Sequence, residues 1–464
     1  MLGIVILVNA SPELERHAAP VTANSICYDC DTSFRDARRL SRGDMYKAMT
    51  GKQRYMLFIL ALVYACHLVD RTIVLVLLDS IKAEYRLSDT QLGLFSGFAF
   101  AFGTLVAAMP LGALADRKTR KSLLAGCIAL WSVMTLLCGM AANYTSLLLL
   151  RFGVGAAEAG LQPTALSMVA DGVPKAHRAK AVSLVHMGIA LGTLIGFISG
   201  GWIATHLGWR AALLVVGLPG LVLAAIVWRT LDEPARVTAG GGEPDASVSL
   251  VTFFKLLWQD KALLHVVAGV TVLWLCVSSA SAWWASFFLR SFNVPLTTVG
   301  AIMAGTAGIG GMTGNYLSSL LAGKFARGRL DRLALIAVSG ALIYFPLSMI
   351  TLQGRELGLV VTTLFLQMTA YFLVFSPAYS IAMSVAQSQT RGRTAAIMSM
   401  GATVIGYGVG PQIVGILSDE LQPTAGKESL RYAMMIAMLI ILWCAAHFIV
   451  AYRHLRARAA APTS

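Results

Sequence analysis

Apolar runs of about twenty residues recur roughly every thirty residues from position 55 to position 452 of this 464-residue chain. A helix that crosses the hydrocarbon core of a bilayer needs about 20 such residues, so a chain of this length has room for about a dozen crossings joined by short loops. Composition agrees: 57% of the residues are hydrophobic and 13% charged, against roughly 45–50% and 25% in soluble domains. These values exclude a disordered chain, a disulfide scaffold and most soluble enzymes. The expected fold is an all-α membrane protein.

The runs fall at about 55–78, 91–115, 121–141, 145–170, 180–204 and 210–229, and then at 262–288, 297–322, 332–351, 357–385, 394–417 and 431–452. Between the two sets lies the longest interior polar break, Leu231 to Leu250, rich in Gly, Pro and acids. The expected organisation is a flexible tail over 1–50, a six-helix half over 51–230, a linker over 231–255, a second six-helix half over 256–455, and a tail over 456–464. The opening MLGIVILV run is too short to span and has no basic region before it, so it makes a poor signal peptide. The stretch around Met45 is an alternative start of translation.

Charge placement orients the twelve expected spans. The net charge is +14. Basic clusters occupy the even-numbered loops: Arg117 to Lys121, Lys175 to Lys180, Lys324 to Arg332, and Arg391 with Arg393. Arg453, Arg456 and Arg458 follow the last span on the same side. The positive-inside rule then places both termini and the linker in the cytoplasm, with anionic lipid rather than nucleic acid as the partner of the excess charge. Of the seven cysteines, Cys27 and Cys30 form a lone C-x-x-C, weak support for metal or redox chemistry. No metal or cofactor is expected, and a two-half chain is complete as a monomer.

Four charges fall inside apolar runs: Asp70 and Arg71 in the first, Arg151 and Glu158 in the fourth. Each costs at least about 2.5–3.5 kcal/mol near the bilayer centre, so they are expected to pair or to line a wet cavity. Arg151 and Glu158 are seven apart and share a helix face; His67 and Asp70 are three apart and share another. With the first span running outward and the fourth inward, Asp70 and Arg151 reach the same depth and Glu158 lies deeper. A carboxylate among guanidinium groups can make and break contacts as it gains and loses a proton. The alternative is a static salt-bridge network. His67 is either a proton relay or a donor to a backbone carbonyl.

The second span closes on Gly112-Ala-Leu-Ala-Asp116-Arg117-Lys-Thr-Arg120-Lys121. This decad resembles the signature loop of the major facilitator superfamily, and the resemblance extends over about residues 50–455. It implies two six-helix halves and alternating access. It further implies a cytoplasmic latch in which Gly112 permits close helix contact, Asp116 meets the start of the eleventh span, and Arg117 and Arg120 support it. The corresponding position of the second half, Gly323-Lys324, lacks the acid. Asp70-Arg71 together with the Arg-Phe-Gly-x-Gly-x-x-Glu-Ala-Gly of the fourth span resembles the Spinster branch, whose animal members export lysophospholipids and sphingosine-1-phosphate. That resemblance implies a proton-linked carrier of an amphipathic, lipid-like substrate in the inner membrane, with Asp70, Arg71, Arg151, Glu158 and His67 in coupling and gating positions.

Gly188, Gly192, Gly196 and Gly200 recur every four residues along the fifth span, a stripe suited to close helix packing. A Thr follows Gly192 where the superfamily's antiporter motif has Pro. Tyr64, Gln162, Asn315, Gln367 and Tyr371 are the candidate polar groups of an otherwise apolar substrate cavity. Trp283 and Trp284, near one end of the seventh span, read as an interfacial belt or a substrate gate. Other functions compatible with the chain are a drug or metabolite carrier, a transport-dead sensor, or an intramembrane lipid enzyme seeded by His67 and Asp70. The enzyme lacks a second catalytic cluster, and no P-loop for ATP is present.

Overall fold

A computed structural model of the chain describes residues 49–117, 119–235, 249–387 and 389–460. All but the last two residues of the expected N-terminal tail, Cys27 and Cys30 included, lie outside these residues, as does most of the expected linker.

Every regular element among the described residues is helical. α1 spans Gly51–Tyr85, and α2 runs from Asp89–Gly93 through a π turn at Leu94–Phe98 into Ala99–Arg117. α3 is Arg120–Gly139, α4 Tyr144–Glu158, α5 Leu161–Gly172 and α6 Arg178–Thr230. After the linker come α7 Leu250–Gln259, α8 Lys261–Ser281 and α9 Trp284–Phe292. α10 begins at Leu296–Met303 and continues through π turns to Ala322–Ala326; α11 is Leu330–Gln353 and α12 Leu357–Val385. α13 joins Arg391–Met400, the π segment Gly401–Val409 and Gly410–Ala425, ahead of α14 Ser429–Met438 and α15 Ile440–Ala460.

Eight helical stretches among the described residues are long and apolar enough to cross a membrane. Two of them, of 51 and 70 residues, exceed by far the ~20 residues that the core requires. The first breaks at Gly208, whose φ of 81° and ψ of 166° are open to glycine and costly for other residues. Beyond it the chain folds back: Gly188 to Gly200 pack along α1 from Ala61 to Ile73, whereas Gly217 and Gly220 return along α3 at Leu136 and Ser132. The second is interrupted at Gly426, where φ is 53°.

The glycine stripe does what its spacing predicts. A Cβ added at Gly188 would lie 2.0 Å from the Ala61 carbonyl oxygen, and one at Gly192 2.3 Å from that of Ala65. Backbone-to-backbone approach of this kind gives dispersion contact that lipid tails cannot match. Large apolar residues remain exposed around the bundle, among them Leu149, Trp228 and Trp443, as a surface solvated by lipid requires.

Several expected boundaries move. The fourth run is split between α4 and α5 at Ala159–Gly160, and the seventh between α8 and α9 at Ala282–Trp283. Residues 250–255, expected as linker, belong to α7, which Ser249 caps by accepting the Thr252 N–H at 3.1 Å. The expected tail from 456 is helical through Ala460. Trp283 and Trp284 are not an interfacial belt: they are 0% and 1% exposed. The Trp283 indole N–H donates to the Pro411 carbonyl at 3.0 Å, so an amphipathic ring finds its polar partner inside the protein instead of at the headgroups.

Candidate substrate and coupling site

The intramembrane charges form two rungs between α1 and α4. In one, Arg151 Nη1 stands 4.0 Å from Asp70 Oδ2, with both side chains 3% exposed. In the other, His67 Nδ1 stands 2.9 Å from Glu158 Oε2. The three-residue spacing on α1 and the seven-residue spacing on α4 place both rungs on facing surfaces, because the two helices run in opposite directions. Close approach of α2 and α4 fixes the frame: an added Cβ at Gly155 would fall 2.1 Å from the Phe100 carbonyl oxygen, and one at Gly103 equally close to that of Phe152.

The rungs differ chemically. The His67–Glu158 contact is close, at 2.9 Å, yet neither His67 Nδ1 nor either Glu158 oxygen has a hydrogen-bond partner. The Asp70–Arg151 contact is an ion pair without a hydrogen bond, and neither Asp70 oxygen has a hydrogen-bond partner. A carboxylate held this way can take up a proton without breaking a hydrogen bond, and its charge then ceases to hold Arg151.

Arg71 is held by rings. Its Cζ lies 3.7 Å from the centroid of Tyr407, on α13, and 4.8 Å from that of Phe100. Arg151 approaches the same Phe100 ring at 5.0 Å. Such contacts are attractive by roughly 0.5–2 kcal/mol and leave the guanidinium donors free for an anion. Behind Tyr407 an aromatic wall runs through Trp274, Tyr371, Phe375 and Tyr379, with centroid separations of 5.2–6.2 Å. Sequence reasoning missed Phe100, Trp274 and Tyr407, since an aromatic residue in an apolar run carries no mark of which neighbour it faces.

The five polar candidates part company. Tyr64 is buried, edge-on to His186 at 5.3 Å, and its hydroxyl has no hydrogen-bond partner. Gln162 is exposed, and so is Asn315, whose Oδ1 accepts from the Ser376 hydroxyl at 3.0 Å. Tyr371 belongs to the aromatic wall. Gln367 is 0% exposed, so it sits in the core rather than on an accessible cavity surface; helix periodicity gave its face but not what covers that face.

Among the expected latch residues, the side chains of Asp116 and Arg117 lie outside the described set. Gly112 makes no close helix contact here, since an added Cβ would meet nothing within 4 Å. Arg120 is 1% exposed and ties α3 to its own half. Its guanidinium donates to Glu233 Oε1 at 2.9 Å, Ser167 Oγ at 3.0 Å, the Pro234 carbonyl at 2.6 Å, and Asp171. Glu233 in turn accepts the Lys121 N–H at 2.8 Å. Burial pushes its carboxyl upward, but these hydrogen bonds outweigh that and hold it below the ordinary glutamate range. The stabilisation is present above that range and is lost as pH falls through the lowered value. Arg120→Ala is expected to cost about 3 kcal/mol, because it strands two carboxylates. A melting temperature in detergent unchanged from wild type would refute this role.

A helical membrane bundle with paired charges at its interior and an aromatic wall opposite them defines a membrane transporter. The profile of the Major Facilitator Superfamily matches residues 60–411, and the chain belongs to that family. Relatives include an MFS-type efflux pump of Mycolicibacterium smegmatis, 29% identical over 82% of this chain and 87% of the pump. The sphingosine-1-phosphate transporter SPNS2 of Danio rerio is 25% identical over 80% of this chain and 78% of its own. Among solved structures, a bacterial homologue of the human lysosomal transporter Spinster, in an inward-facing, unoccupied conformation, superposes with a TM-score of 0.79 at 23% identity, covering 90% of this chain and 100% of that one. The Spinster-like character expected from Asp70-Arg71 and the fourth-span motif agrees with these matches.

Proposed function

We propose that this protein is a proton-coupled secondary active transporter that carries an amphipathic, lipid-like organic substrate across the inner membrane by alternating access. The observation that carries the proposal is the loose Asp70–Arg151 pair beside Arg71, a half-buried guanidinium held by two rings. Arg71 offers free donors to an acidic headgroup, and the wall from Trp274 to Tyr379 offers apolar surface to a chain or ring system. Protonation of Asp70 releases Arg151, and the His67–Glu158 rung below supplies the next site along α1 and α4. On this reading twelve spans make two halves, both termini are cytoplasmic, one chain suffices, and Gly112, Asp116 and Arg117 latch the cytoplasmic mouth in the opposite state. Orientation rests on the basic even-numbered loops.

A second reading, favoured by the efflux-pump relative, keeps the coupling site and replaces the lipid with a drug or metabolite. Purified protein in liposomes under an imposed pH gradient, offered lysophospholipids, sphingoid phosphates and cationic drugs, separates the two. Gradient-dependent flux of the acidic lipids, lost in Arg71→Gln, supports the lipid assignment. Flux of neutral or cationic drugs alone supports the second reading. Substrate conversion without vectorial movement overturns both in favour of an enzyme.

A further inference from the structure

At the end of the bundle where α1 turns into α2, a charged cluster joins elements from before and after the linker. Asp89, 3% exposed, receives both terminal nitrogens of Arg290 on α9, at 2.7 and 2.9 Å. It also accepts from Lys82 on α1 at 2.5 Å and from the Ser418 hydroxyl on α13 at 2.7 Å. Arg290 Nε donates to Asp79 on α1 at 2.7 Å. The neighbouring acid, Asp419 on α13, accepts the backbone N–H of Asp89 on Oδ1 at 3.0 Å and that of Thr90 on Oδ2 at 2.8 Å. It thus caps the first turn of α2 from another helix, where orphan N–H groups and the positive end of the dipole both favour an anion.

The backbones close up in the same place. Added Cβ atoms at Gly415, Gly93 and Gly97 would lie 2.4, 2.8 and 2.5 Å from the carbonyl oxygens of Asp89, Pro411 and Tyr407. These contacts pair α2 antiparallel to α13, with positions falling in α2 as they rise in α13. The resemblance of the second-span loop implies one acid for the other end of this helix pair, Asp116; Asp419 of α13 is the acid that meets the N-terminus of α2 at this end.

We propose that Asp419, clamped by the Asp89–Arg290 ion pair, is a second latch that holds the Asp89 mouth shut and must release for that mouth to open. It is the reciprocal of the Asp116 loop on the same helix pair. The apparent one-sidedness of the latch in the sequence arises because the second acid sits at the far end of α13 and not at Gly323-Lys324. This inference rests on alternating access and is independent of the proton-coupling site.

The test uses the full chain in nanodiscs with spin labels at Thr145 and Lys427, exposed positions on either side of this mouth, and a second pair at Ser122 and Gln389 near the other. Charge-assisted hydrogen bonds of this kind make Asp419→Ala shift the open-to-closed ratio of the Asp89 mouth by roughly tenfold or more toward open. Asp419→Asn, which keeps one acceptor, gives an intermediate shift, and Arg290→Gln a shift in the same direction. Asp260→Asn removes an acid from the exposed pair with Arg458 and leaves the distances at wild-type values. Folding is monitored through monodispersity and the second label pair. Unchanged Thr145–Lys427 distances in well-folded Asp419→Ala and Arg290→Gln overturn the latch. Should that mouth open in the wild type with substrate yet not respond to these variants, the latch alone falls. Should it open under no condition, alternating access falls with it.

Discussion

Asp70→Asn is expected to reduce gradient-driven uptake to background while substrate counterflow continues. The amide has nearly the shape of the acid and cannot ionise, so it fixes the neutral state at a position where the carboxylate has an ion-pair partner at 4.0 Å and no hydrogen bond to lose. Uptake against a gradient requires the carrier to change protonation state in each cycle, whereas exchange at equal pH does not. Glu158→Gln is expected to have a smaller effect, because the amide keeps the shape of the acid and still presents a polar oxygen to His67, 2.9 Å away in the wild type. Parallel measurement of pH-driven uptake and counterflow in liposomes checks both. Asp70→Asn with wild-type gradient-driven uptake would make the α1–α4 rungs a structural network.

The second large effect is expected at glycines where the two sets of helices meet. An added Cβ at Gly97 would lie 2.5 Å from the Tyr407 carbonyl oxygen, and one at Gly300, on α10, 2.3 Å from that of Phe197 on α6. These neighbours are backbone, which cannot swing aside as the end of a long side chain can. Overpacking a well-filled contact costs about 1–3 kcal/mol, enough to move a two-state equilibrium by roughly ten- to hundredfold. Gly97→Val and Gly300→Val are therefore expected to hold the Asp89 mouth open and to abolish net transport without unfolding the protein. Label distances across that mouth, read beside uptake, decide the matter: a closed mouth with normal transport in either variant refutes the claim. The two sites lie on different helix pairs, α2 with α13 and α6 with α10, so agreement between them points to closure itself rather than to a local defect.

The relation between α1 and α4 was legible before any coordinates. Charges inside apolar runs are costly, and three- and seven-residue spacings on antiparallel helices leave them few places to go. The glycine stripe of α6 was legible for the same reason: a four-residue repeat of the smallest residue serves close approach and little else. Trp283, Trp284 and Gln367 were misplaced because lipid tails are as apolar as leucine. In a soluble helix the buried face is marked by hydrophobicity; in a membrane helix both faces are apolar, and the protein-facing side is distinguished weakly, by small and polar residues.

The charged cluster at the Asp89 mouth shows the same limit in another form. Asp79, Asp89, Arg290 and Asp419 each fall near the end of a helical run, where an isolated charge reads as a loop residue in water. What the sequence alone determined is a helical membrane chain of this family, with an acid–guanidinium pair inside it, because hydropathy, charge cost and helical spacing are local properties of the chain. What only the tertiary structure decided is which helices from the two sides of the linker touch and at which end. That outcome depends on how distant backbones fit together, through Gly93, Gly97 and Gly415 on one pair and Gly201 and Gly300 on the other.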